Sequence, residues 1–134
     1  MPISSAPAVL EGDGFRIRLE PQPDFLRAHV SGGTDSLQKS LAVWRLLGDE
    51  CRARDAKRLL VVEELSGGLS HEEVGIMIAT LHAEGFPNIR IGFVELAGNT
   101  APGEHGEILA IELGFTVQAF NSEAEARRWL VYGN

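Results

Sequence analysis

Between Arg58 and Ile76 the chain runs Arg-Leu-Leu-Val-Val-Glu-Glu-Leu-Ser-Gly-Gly-Leu-Ser-His-Glu-Glu-Val-Gly-Ile, and this order constrains the fold more than any other stretch. Leu59 to Val62 is apolar at consecutive positions and rich in branched side chains, the composition of a strand covered on both faces. Two glycines interrupt it, and Ser70 then stands where it can cap a new helix. A strand, loop and helix in that order set polar groups at the carboxyl edge of a sheet, where open α/β sheets keep their sites.

The flanking segments extend this unit. Phe15, Ile17 and Leu19 alternate with Arg16, Arg18 and Glu20, and Leu26, Ala28 and Val30 repeat the period of a strand with one buried face. Pro21-Gln-Pro-Asp24 between them carries turn chemistry, so residues 15 to 31 read as an antiparallel hairpin. Leu37, Leu41, Trp44, Leu47 and Cys51 draw an apolar stripe down a long helix that Thr34 or Asp35 is placed to cap. After the glycine loop, Val74, Ile78 and Leu81 mark a second helix, which Glu84-Gly-Phe-Pro87 stops before the apolar strand Ile91-Gly-Phe-Val94. Asn99 to Gly106 reads as a polar loop before a short helix to about Leu113. A strand follows from Phe115 to Phe120, and Ser122-Glu-Ala-Glu125 fits a capping box opening a last helix to about Leu130. Arg127 and Arg128 then fall near that helix's carboxyl end, where they complement its dipole, and Trp44 and Trp129 are placed as packing anchors. The expected class is α/β, with a mixed sheet begun by an N-terminal antiparallel hairpin and completed by crossover helices.

At 134 residues the chain suits one domain able to bury a core without staples, with residues 1 to 14 expected as a loose tail and residues 15 to 131 as the domain. Acidic residues outnumber basic ones by 19 to 12, a formal net charge of -7, and the arginines are scattered, so a nucleic-acid partner is not expected. No apolar run approaches the length that crosses a bilayer. The single cysteine, Cys51, cannot pair internally and stands on the inward stripe, which together with the absence of a secretory pattern points to a reduced, cytoplasmic protein.

The element order, together with Arg90-Ile-Gly-Phe-Val94, Gly114-Phe-Thr-Val-Gln-Ala-Phe120 and Glu123-Ala-Glu-Ala-Arg-Arg-Trp-Leu130, resembles the STAS (SpoIIAA-like) fold of anti-sigma-factor antagonists. The likeness is greatest to the stand-alone bacterial members, whose fold is also similar to the CRAL-TRIO lipid carriers. It covers residues 15 to 131. The resemblance implies a regulatory module in which a hydroxyl at the start of the helix after the central strand is phosphorylated. Here His71 and Glu72 occupy that register, with Ser66 and Ser70 nearby but out of it, so the phosphoswitch does not carry over residue by residue.

No complete catalytic or cofactor signature accompanies this pattern. The glycine pair lacks the lysine and hydroxyl of a phosphate loop and the third glycine of a dinucleotide fingerprint. His71-Glu72 has Gly75 where a zinc helix would put its second histidine, and the four histidines are dispersed, so neither a metal nor a cofactor is expected. Glu63 and Glu64 end the central strand on opposite faces, so at most one lines a shared pocket. The first expectation is therefore a non-catalytic regulatory or interaction module, not an enzyme. It would contact a protein partner or a second copy through Glu64, Ser66, Gly67, Ser70, His71 and Glu72. The second is a carrier of a small hydrophobic ligand or lipid, suggested by the CRAL-TRIO side of the resemblance and by Phe86, Phe93, Phe115 and Phe120.

Overall fold

Alternation at the N-terminus and unbroken apolar runs farther on dictate two kinds of strand, and the computed structural model, which describes residues 6–96 and 101–133, contains both. Ala8–Gly12 (β1), Phe15–Pro21 (β2) and Leu26–Thr34 (β3) form an antiparallel meander. Leu37–Arg54 (α1) then leads to Arg58–Ser66 (β4), His71–Ala83 (α2) to Arg90–Glu95 (β5), and Ala101–Glu112 (α3) to Thr116–Phe120 (β6), with Glu123–Tyr132 (α4) last. From β3 onward the strands pair in parallel, so the described residues make one six-stranded mixed sheet in sequence order, β1 to β6. A parallel strand that moves one place along the sheet at each right-handed crossover carries every connecting helix to the same face. Accordingly α1 buries Val43, Leu47 and Cys51 against Ile17, Leu19, Leu59 and Val61, and α2 and α3 pack Val74, Ile78 and Ala110 above Val117.

Among the described residues the opposite face is covered by α4 alone, through Ala126 and Leu130 on Leu60, Val62 and Val94. Gly92 permits that approach, since a Cβ there would stand 3.3 Å from the Leu130 side chain. Two guanidinium groups fasten the helix. Arg27 donates to both carboxylate oxygens of Glu123 at 2.8 and 2.9 Å, while Arg90 lies 3.7 Å over the Trp129 ring and donates to the Trp129 carbonyl at 2.9 Å.

Several boundaries depart from the sequence reading for local reasons. Residues 8 to 12, expected in the tail, are strand β1, paired with β2 through a tight turn at Asp13-Gly14; Gly14 has φ +82°, which glycine adopts without strain. Met1 to Ser5 lie outside the described residues. Helix α1 is capped by Ser36, not by Thr34 or Asp35, because the Asp35 carboxylate accepts from the Ser36 amide and the Ser40 hydroxyl. Its buried face is Ser40, Val43, Leu47, Gly48 and Cys51, so Leu37, Leu41 and Trp44 lie at its margin. Strand β4 continues past Val62 to Ser66, and α3 begins at Ala101 within the expected loop; Asn99 and Thr100 of that loop lie outside the described residues. Helix α4 reaches Tyr132, which leaves Arg127 and Arg128 outside its last turn; the Arg127 guanidinium stands 5.7 Å from the Phe25 ring. Among the described residues no helix is long and apolar enough to cross a membrane.

Candidate functional site

Strand period decides what faces the interior at the carboxyl end of the sheet. Leu59, Val61, Glu63 and Leu65 share the face under α1, and in the parallel register Glu63 stands beside Glu95, itself in phase with Ile91 and Phe93. Above these positions α2 and α3 do not close fully on the sheet. A cavity of about 140 Å³ remains, floored by Ile91, Phe93 and Val117 and roofed by Val74, Met77, Ile78 and Ala110. Trp44, Phe86 and Phe115 form one wall. Trp44 meets Phe86 edge-on at 6.2 Å, and Phe86 meets Phe115 the same way at 5.9 Å. A mainly apolar hollow with a few convergent polar groups is the usual form of a small-molecule site.

Apart from the Ser40 hydroxyl, the polar side chains that converge are acidic: Asp35, Glu63, Glu95 and Glu107 line the cavity, and among its described lining residues none is basic. Asp35 and Glu107 are engaged from within the protein. The first accepts from the Ser36 amide at 2.7 Å and the Ser40 hydroxyl at 2.8 Å, and the second from the Ala119 amide at 3.0 Å. The Glu63 carboxyl has no side-chain hydrogen-bond partner among the described residues, although only 9% of the residue is exposed. Burial pushes its pKa up to about 8, and the neighbouring carboxylates of Asp35 and Glu95 add to the rise by disfavouring a further negative charge. A group perturbed in this way by desolvation and specific neighbours, inside a cleft, is a candidate functional residue on physical grounds.

The six residues expected to form a contact surface do not gather at the cavity. Gly67 alone lines it, in a left-handed conformation at φ +71°, followed by Gly68 and Leu69. Glu64 points to the other face of the sheet, where it bonds His29 Nε2 at 2.7 Å; Arg18 donates to His29 Nδ1 at 3.0 Å, so Nε2 carries the proton that Glu64 accepts. The Ser66 hydroxyl donates to the Gly33 carbonyl at 3.2 Å. Ser70 caps α2, its Oγ accepting from the Glu73 amide at 3.1 Å while the Glu73 carboxylate accepts from the Ser70 amide at 3.0 Å. His71 and Glu72 are exposed in the first turn, with the His71 ring stacked 4.1 Å from that of His105. Among the described residues no three histidine, cysteine or acidic side chains are grouped to hold a metal ion.

The acidic end of the cavity escaped the motif reading because its members come from the approach to α1, from β4, from β5 and from α3. A signal was nevertheless present. Glu63 is the charged interruption in a set, Leu59, Val61, Glu63, Leu65, that is otherwise apolar on one face. No protein-family profile matches the sequence, and no curated protein matches it.

Proposed function

We propose that this protein is a non-catalytic binding module for a small hydrophobic molecule, held between the sheet and helices α2 and α3. The cavity carries this reading. Its volume of about 140 Å³ is close to the roughly 150 Å³ of an engineered apolar cavity that stays dry and binds benzene, so a single ring with a short substituent fits. The aromatic wall at Trp44, Phe86 and Phe115 supplies contact area to such a ring. A hairpin-led mixed sheet with crossover helices agrees with the resemblance to STAS and CRAL-TRIO proteins, and the latter side of it supports ligand carriage.

The test is binding of ethylbenzene, followed by ligand-detected NMR, to the wild type and to Ala119→Phe, which fills the hollow from β6. Saturable binding that Ala119→Phe abolishes with unchanged circular dichroism supports the reading. Absence of binding to the wild type removes it.

A second reading, the regulatory module, is favoured by one observation. The connection that lines the cavity at Gly67, Gly68 and Leu69 runs directly into the exposed Ser70, His71 and Glu72. A ligand touching the first three residues would thereby bias the surface offered by the next three to a protein partner. Recovery of one partner by the wild type and its loss in a His71→Ala/Glu72→Ala variant would support this; equal recovery would count against it. The lone thiol, Cys51, is buried and its pKa is pushed up to about 12 by desolvation, which keeps it inert and suits a reduced, cytoplasmic setting.

A further inference from the structure

We propose that the molecule held in the cavity is a small lipophilic amine, its ammonium group seated against the Glu63 carboxylate and its apolar body lying along Phe93, Phe86 and Trp44. The inference rests on the binding-module reading above and adds the ligand's charge and class.

Three observations lead to it. Glu63 is nine-tenths buried, lines the cavity and has no side-chain hydrogen-bond partner among the described residues, a state that an ionisable group occupies only at substantial cost unless something pairs with it. The groups around it deepen the need. Asp35 before α1, Glu95 on β5 and Glu107 on α3 face the same space, α2 contributes only apolar side chains to the wall, and the described lining holds no lysine, arginine or histidine. The described residues therefore offer no cation of their own to this end of the cavity, and complementarity assigns one to the occupant. A carboxylate ligand would add a negative group to those of Asp35, Glu95 and Glu107, and a plain hydrocarbon would leave Glu63 protonated, whereas a bound ammonium favours its carboxylate, the proton passing to solvent. An ammonium brings three donors and a positive charge.

The apolar remainder selects among cations. Aromatic faces attract a positive charge and also pack against a ring, whereas a hydrated metal ion would meet a mostly hydrocarbon wall. The volume limits the body to about one ring and a short linker, by the benzene comparison already made. Primary arylalkylamines and short branched alkylamines meet all these conditions.

Calorimetry at neutral pH with three probes of similar shape tests the assignment: 2-phenylethylamine, 3-phenylpropanoate and ethylbenzene, each against the wild type and Glu63→Gln. The expected result is that the wild type binds the amine about thirtyfold or more tighter than the other two, the factor typical of a desolvated charge pair. Glu63→Gln is expected to lose that preference and to keep ethylbenzene binding, which also shows that its cavity is intact. Glu63→Leu, which continues the apolar period of β4, should behave alike and stands in if the glutamine variant fails to fold. Equal or tighter binding of the acid or the hydrocarbon by the wild type would overturn the amine assignment while leaving the binding-module reading standing. So would an amine preference that survives in either variant. Binding of none of the three probes would overturn both.

Discussion

Glu63 sits in a place that stability alone would give to leucine or valine. Between pH 4.5 and about 8 the unfolded chain releases this proton while the folded protein retains it, so the folded state binds more protons and loses ground as pH rises. Below the unfolded value the group is neutral in both states and exerts no such pull. Replacing it with glutamine removes the titration. Glu63→Gln is therefore expected to be more stable than the wild type, by little at pH 5 and by a few kcal/mol at pH 8, since each tenfold change in a protonation equilibrium is worth about 1.36 kcal/mol. Parallel urea melts at the two pH values measure the difference, and a gap that does not widen with pH would contradict the burial of this carboxyl. Retaining such a group against that pressure is what a binding role for it implies. The sequence placed Glu63 on one face and Glu64 on the other, and the structure agrees, with Glu64 bonded to His29 on the α4 side. What single-residue reading could not give was which of the two entered a cavity, because that depends on how α2 and α3 rest on the sheet.

The elements were legible where hydrophobic period and capping chemistry coincide. Ser70 caps α2 as expected and forms both halves of a capping box with Glu73, and Ser122 likewise accepts from the Glu125 amide at the start of α4. Ser70→Ala is expected to lower stability by about 1 kcal/mol through loss of the cap, read from the shift in the urea midpoint. A loss below a few tenths would mean that the helix start is held otherwise. Strand β1 escaped detection because five partly polar residues at a sheet edge carry little hydrophobic period; Asp13-Gly14, a favoured hairpin turn, was the clue to it. The cap of α1 was displaced by two hydrogen bonds to Asp35 that a propensity argument does not see. Gly92 shows an element-level constraint of a different kind. A side chain there meets Leu130 and Ala126, so Gly92→Val should push α4 away from β5 and destabilise by about 1 to 3 kcal/mol, with the Trp129 fluorescence shifting toward that of an exposed indole. An unchanged midpoint and spectrum would show that α4 yields freely.

At the scale of the whole molecule the described residues place three helices on one face of the sheet and one on the other, and the asymmetry creates the cavity. Helix α4 lies closely over Gly92 with small Ala126 beneath it, whereas α2 and α3 stand off the sheet on Met77, Ile78 and Phe115 and leave space behind. The α/β class and the change from antiparallel to parallel pairing followed from the order of periods along the chain. The cavity did not, since a void is a property of how layers fit and has no local signature. That hollow is the basis of the functional reading, and titration of methyl-labelled protein with ethylbenzene examines it most directly. The expected result is saturable shifts at methyls that line the cavity, among them Val74, Met77, Ile78, Ile91, Ala110 and Val117, with the exposed Ile108 and Ile111 of α3 unmoved. Shifts confined to Ile108 and Ile111, or none at any methyl, would contradict it.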